Sequence, residues 1–283
     1  MERAKGILYA ALSSSTFGLA PLFTLLLLGL GYSSFEVLSY RWGVASVFLC
    51  ALALLAGRSF RLSWPELRTV FFLSLFRAAT SLSLVIAYQH IASGVASTIH
   101  FMYPLAVALA MMCFFREKGS VWVFAAIGMS IVGAVLLSLG NVDFTRGNTT
   151  LGMVSAAVSV VSYGGYIVGV RKSRAVGIDS TVLTCYVMGL GALYFIAGGL
   201  VTGGIRIETD GTAWLCILGV ALPATAVSNM TLVQAIKRIG PTLTSVFGAL
   251  EPLTAVVIGV AVFGEPFTAV SYTHLRAHET SAH

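Results

Sequence analysis

Apolar runs of about 20 residues, separated by short polar or basic turns, organise this chain from its start to about residue 268. An α-helix needs about that length to cross a hydrocarbon core of roughly 30 Å. The pattern predicts nine membrane helices, at 7–28, 34–56, 67–90, 95–115, 121–139, 151–170, 181–201, 212–236 and 241–263. The same pattern repeats itself. Residues 90–117 return 148 positions later as 238–265: Ile91 reappears as Ile239, Ser97 as Ser245, Pro104 as Pro252 and Glu117 as Glu265. At a spacing of 146, Gly6, Ala10, Ala11, Ser13 and Gly18 recur as Gly152, Ala156, Ala157, Ser159 and Gly164, with Phe17 answered by Tyr163. Two related membrane halves predict a substrate chamber where the halves meet, as in secondary transporters.

The first half, 1–140, carries five helices, and a polar connector with Asn141, Asp143, Arg146 and Asn148 separates it from the second, 151–270. Five is odd, so the second repeat enters the membrane from the opposite side and the halves become inverted images about an axis in the membrane plane. The expected fold is an all-α membrane bundle of ten helices in a 5+5 inverted repeat. A tenth helix by the same offset would fill about 269–287, yet residues 271–283 are polar and hold three of the five histidines. This run is read as a non-native tail that replaces the tenth helix. Its histidines lack cysteine or carboxylate partners at metal-ligand spacing, so no metal site is expected.

Composition agrees with a membrane bundle. Apolar residues make up 57%, charged residues only 10%, and mean hydropathy is +0.91, where soluble domains carry about a quarter charged residues. The first helix is read as retained, because no small-residue cleavage site closes it. Cys50, Cys113, Cys185 and Cys216 fall in or beside apolar blocks and read as free thiols. A net charge of +6 would suit nucleic acid were it not for its distribution. With the N-terminus placed in the cytoplasm, Arg3, Lys5, Arg58, Arg61, Arg68, Arg116, Lys118, Arg171, Lys172, Arg174, Lys237 and Arg238 share the inner side, while Arg146 and Arg206 lie outside. That asymmetry is the positive-inside signature, so the charge reports orientation in the lipid and no nucleic-acid partner is implied. Trp64, Trp122 and Trp214 near helix ends read as interfacial anchors.

Charges at membrane depth are costly and mark candidate sites. Glu251 sits ten residues into the ninth block. It either carries a proton or a cationic solute, or serves the structure by capping backbone freed by Pro252 or by pairing with an arginine. Arg77 is assigned to the cavity, whereas Arg41 is assigned to a structural ion pair or helix anchor. Tyr103 occupies the repeat position of Glu251, and His100 lies three residues before it on the same helical face. Thr80, Ser81 and Ser83 correspond to Ser228, Asn229 and Thr231, and Gln234 extends the second polar strip. Ser81, Asn229 and Gln234 are expected on the walls of the chamber, although small polar groups also glue membrane helices together. Pro21, Pro104, Pro223 and Pro252 are expected to kink their helices. Gly165 and Gly169 form a face for close packing.

No phosphate-binding Gly-x4-Gly-Lys loop is present, nor any serine-hydrolase or zinc-protease motif, so neither ATP hydrolysis nor an intramembrane enzyme is expected, and no cofactor. The favoured function is a secondary carrier exporting small metabolites, such as amino acids or amphipathic organic compounds, with the proton as a candidate coupling ion. The alternative is a membrane sensor or assembly factor without transport. The stretches 235–241 (AIKRIGP), 249–255 (ALEPLTA) and 263–265 (FGE), with a weaker first copy at 87–92 (AYQHIA), Tyr103-Pro104 and Arg116-Glu117, resemble the two repeats of EamA-type carriers of the drug/metabolite transporter superfamily. The resemblance covers about residues 1–268. It implies a bacterial inner-membrane bundle, monomeric or homodimeric, in which helices three, four, eight and nine line a cavity. Helices one, two, six and seven would rock around it, and helices five and ten would brace the outside.

Overall fold

A computed structural model describes residues 2–119, 147–251, 253 and 254, with positions 121, 124, 125, 127–129 and 132. Most of the fifth block, the connector through Arg146, Pro252, the end of the ninth block and residues 271–283 lie outside the described residues. Among the described residues the fold is all-helical, with no strand, and seven helices are long and apolar enough to cross a membrane. They are α1 (Glu2–Gly29), α2 (Ser34–Leu55), α3 (Trp64–His90), α4 (Ser93–Phe115), α5 (Thr149–Lys172), α6 (Ser180–Thr202) and α7 (Gly211–Ile239). A further helix, α8 (Pro241–Val246), continues through a 3-10 turn at Phe247–Ala249 to Glu251. The apolar runs at 7–28 through 95–115 correspond to α1–α4, and those from 151 onward to α5–α8. Large apolar side chains such as Leu8, Val47, Phe114, Val161, Leu193 and Leu200 stand on the outer surface, where lipid replaces water.

Pro21, Pro104 and Pro223 each mark an irregularity within a spanning helix. Proline lacks an N–H and its ring clashes with the preceding turn, so α1 divides into Glu2–Phe17 and Ala20–Gly29 just before Pro21, and α4 into Ser93–His100 and Tyr103–Phe115 just before Pro104. In α7 the strain around Pro223 is taken up by a π-helical segment, Leu222–Val227, a form often found at functional positions. The helix starts are specified locally. Ser33 and Glu36 form a reciprocal capping box at α2, and Asp179 caps α6 through the amides of Thr181 and Val182.

Three helix pairs carry the packing: α2 on α6, α3 on α5, and α1 on the last part of α7. Glycines set their closeness, since the absent side chain lets the partner approach. Gly6 lies against Arg238 and Ile239, and Gly152 against His90 and Ile91. These are repeat positions on both sides of the contact. Gly18 meets Glu251 and Thr254 as Gly164 meets Ala106 and Val107. Gly165 faces Phe76 and Gly169 faces Leu73, so this pair serves helix packing, as its spacing suggests.

Two straps join opposite halves and also match. In one, the loop before α7 crosses to α2: Arg206 pairs with Glu36 at 3.0 Å through Nε, its backbone N–H also donates to Glu36, its guanidinium lies 4.0 Å from the Tyr32 ring centroid, and Tyr40 Oη donates to the Arg206 carbonyl. In the other, Arg58, 148 positions earlier, pairs with Asp179 at 3.6 Å while Tyr186, the counterpart of Tyr40, donates to the Phe60 carbonyl.

The α2–α6 seam gives the first prediction. A β-carbon at Gly191 would stand 2.1 Å from Trp42, whose ring is fully buried and edge-on to Phe195 at 5.2 Å. Trp42 cannot withdraw, so Gly191→Ala should cost about 1–3 kcal/mol by overpacking and lower the unfolding temperature in detergent. An unchanged transition would show that the seam is looser than the geometry requires.

Candidate functional site

The breaks in α1 and α4 open the middle of the bundle, and polar side chains converge there. Arg77 on α3 is 1% exposed. Its Nε donates to Asn229 Oδ1 on α7 at 2.8 Å, and its Nη1 donates to Ser81 Oγ one turn along α3 at 3.1 Å. Ser81 and Asn229 are repeat counterparts, so one guanidinium joins the two matched strips. Around it stand three rings, with centroids 5.5 Å away for Phe17, 5.8 Å for Trp42 and 5.2 Å for Tyr163, each favourable by about 0.5–2 kcal/mol. Phe17 and Tyr163 are themselves repeat partners and stack at 6.3 Å and 15°.

Arg41 on α2 shares this location. It is 4% exposed, its Nε donates to Thr225 Oγ1 at 2.6 Å, and its guanidinium lies 5.8 Å from the Phe17 centroid. Thr225 sits in the π-helical segment and is the repeat counterpart of Arg77. Among the described residues no carboxylate comes within ion-pair distance of Arg41, and its bond to Thr225 is a contact from α2 to α7.

Glu251 and Tyr103, 148 apart, meet directly: Tyr103 Oη donates to Glu251 Oε1 at 3.1 Å, with both side chains buried. No lysine or arginine among the described residues pairs with Glu251. His100 stacks on Tyr163 at 5.3 Å, and its Nδ1 lies 2.8 Å from Ser159 Oγ. Ser159 spends its one hydroxyl proton on the Ala156 carbonyl at 2.6 Å, so the imidazole Nδ1–H is the donor to Ser159. That tautomer leaves Nε2 as a bare acceptor with no partner among the described residues.

Two adjoining cavities fill the space between these groups. One, of about 20 Å³, is bounded by Phe17, Pro21, Arg41, Arg77, Ser81 and Tyr88 among others. Its neighbour, also about 20 Å³, is bounded by Phe17, Pro21, Tyr88, Ser97, His100 and Glu251 among others. The first lobe presents cationic donors and the second presents acceptors. Of the residues assigned to the site from sequence, Arg77, Ser81, His100, Tyr103, Asn229 and Glu251 come together. Gln234 does not join them, since it accepts from Arg238, which in turn pairs with Glu2 at 3.2 Å. Phe17, Trp42, Tyr88, Ser159, Tyr163 and Thr225 were not assigned to the site. The Phe17–Tyr163 equivalence was the signal that could have found two of them. No group of three or more histidine, cysteine or acidic side chains able to hold a metal occurs among the described residues.

A family model described as "EamA-like transporter family" matches residues 4–139 and 150–273. Relatives include the uncharacterized transporter YojE of Bacillus subtilis, 27% identical over 94% of this chain and 88% of that protein. An uncharacterized transporter of Archaeoglobus fulgidus is 24% identical over 71% of this chain and 70% of its own length. The uncharacterized inner membrane transporter YedA of Escherichia coli K12 is 22% identical over 83% and 76%. A solved crystal structure superposes with a TM-score of 0.75 at 21% identity, covering 96% of this chain and 91% of that one, which supports the fold alone.

Proposed function

We propose, from the premise that this chain belongs to the EamA-like transporter family, that it is a secondary carrier exporting small metabolites such as amino acids or amphipathic organic compounds across a bacterial inner membrane. Membership makes it a multi-pass membrane transporter. Alternating access, the direction of transport, the cytoplasmic N-terminus and proton coupling are our reading. The halves 1–140, with five spans, and 151–270, with four and the start of a fifth, act as two units of opposite orientation. The inner-membrane location follows the description of the Escherichia coli relative.

One observation carries the reading: repeat counterparts face each other around a polar cavity. Phe17 meets Tyr163, Tyr103 meets Glu251, and Arg77 joins Ser81 to Asn229. Such a meeting supports a site on the axis between the units, where rocking one unit against the other would expose it to either side in turn. Glu251 is suited to proton exchange because its only described side-chain donor is a neutral phenol.

The experiment is flux of labelled amino acids and organic cations in proteoliposomes, with and without a pH gradient. Wild type should move at least one solute. Glu251→Gln should lower that flux at least tenfold and abolish its response to the gradient. Folded, full-length protein that moves nothing would favour the sensor reading, and an unaltered gradient response in Glu251→Gln would remove the proton role.

A further inference from the structure

We propose that Arg41 and Arg77 together form the anion-binding end of the solute site, so that the transported solute is an organic carboxylate. The inference rests on the carrier reading above and narrows it to one substrate class.

The argument starts from charge. Both guanidiniums are buried, both line the same cavity of about 20 Å³, and both stand against one ring, at 5.8 and 5.5 Å from the Phe17 centroid. Two like charges in low dielectric raise each other's energy, and the ring contacts and neutral hydrogen bonds offset only part of their lost hydration. Among the described residues neither has an acid within ion-pair distance. Glu251 borders the neighbouring lobe, and its oxygen is engaged by Tyr103.

Hydrogen bonding points the same way. Arg77 is anchored by Asn229 and Ser81, and Arg41 by Thr225. Arg41 Nη2, however, is buried with no acceptor among the described residues. A guanidinium edge of this kind fits a carboxylate with two parallel bonds. Ala20, Leu84, Val85 and the Tyr88 ring complete the wall; the cavity is closed down to about the space of one water, and a widened form would present these side chains to the hydrocarbon part of such a solute. An organic cation entering this lobe would meet repulsion from both arginines.

Trp42, fully buried and 5.8 Å from the Arg77 guanidinium, offers a reporter once Trp64, Trp122 and Trp214 are changed to Phe. The full chain in neutral-lipid nanodiscs is titrated with 4-methylpentanoate, leucine, 3-methylbutylamine, 4-methylpentanamide and inorganic phosphate. Trp42 emission and thermal unfolding are followed together. The two carboxylates should bind at least tenfold more tightly than the other three. Arg41→Gln should erase the preference, and Arg41→Lys should restore part of it. Four results would overturn the inference: no binding of either carboxylate, equal binding of the amine or the amide, equal binding of phosphate, or a preference that survives Arg41→Gln. Flux of the same solutes separates this from the carrier reading. Carboxylate binding with no flux of any solute leaves the anion site standing and defeats the carrier. Amine or amide flux matching that of the carboxylates does the reverse.

Discussion

Arg77→Leu should reduce flux more than 100-fold, and Arg77→Lys should recover little of it. The guanidinium makes two bonds in different directions, one to each half of the protein, and an ammonium is a point charge that cannot reproduce that fork. A hydrogen bond to a charged group is worth about 1.5–3 kcal/mol. Losing two, and leaving the buried Asn229 Oδ1 without its described donor, amounts to about 3–6 kcal/mol in whichever conformation needs the bridge. Each 1.4 kcal/mol is a factor of ten, so the expected loss exceeds 100-fold. The unfolding temperature should move less than the flux, because removing Arg77 also relieves its repulsion of Arg41. Proteoliposome flux and thermal unfolding of the two variants check this. A lysine variant that transports at the wild-type rate would show that charge alone suffices at this position.

Much of the fold was legible because the membrane simplifies the code. Lipid forces every backbone group to pair within its own helix, so length and hydropathy place α1 to α7 within a few residues of the apolar blocks. The residues that converge were harder to read. The repeat offset paired Tyr103 with Glu251 and Ser81 with Asn229, and in the structure those pairs flank one cavity. A one-dimensional offset does not say how far along its helix a side chain reaches. Arg41 lies only eight residues into its block and reads as an anchor, yet the close α2–α6 seam at Gly191 and the long guanidinium stem bring it to the lobe that Arg77 borders. Gln234 failed for the opposite reason. It continues the strip of Asn229 and Thr231 along α7, but it lies beyond the cavity, where Arg238 takes it up. The aromatic wall was hidden because Phe17, Trp42 and Tyr88 look like ordinary lipid-buried rings, and only the packing around Arg77 distinguishes them.

The two straps share matching repeat positions for their arginines and tyrosines but differ in their acids and in strength, and that inequality predicts how firmly each one guards its side of the cavity. With the N-terminus inside, Arg206 lies on the outer face and Arg58 on the inner one. The outer strap pairs Arg206 with a carboxylate whose side chain is only 10% exposed, and adds a ring contact and a backbone bond. The inner strap spans 3.6 Å between groups 56% and 31% exposed. Exposed pairs contribute about 0–1 kcal/mol, whereas the outer strap, with its cation–π contact, should contribute about 2 kcal/mol. Arg206→Ala should therefore shift the protein toward an outward-facing form roughly thirty-fold, and Arg58→Ala should shift it inward by less than about five-fold. A cysteine at Ala20, which lines the cavity, reports this in a background where the four native cysteines are serine. A membrane-impermeant maleimide added outside should label it about thirty times faster in Arg206→Ala than in the parent, and somewhat more slowly in Arg58→Ala. Equal acceleration by both variants would mean that the straps only stabilise the bundle. Acceleration by Arg58→Ala alone would mean that the halves are oriented opposite to the charge asymmetry.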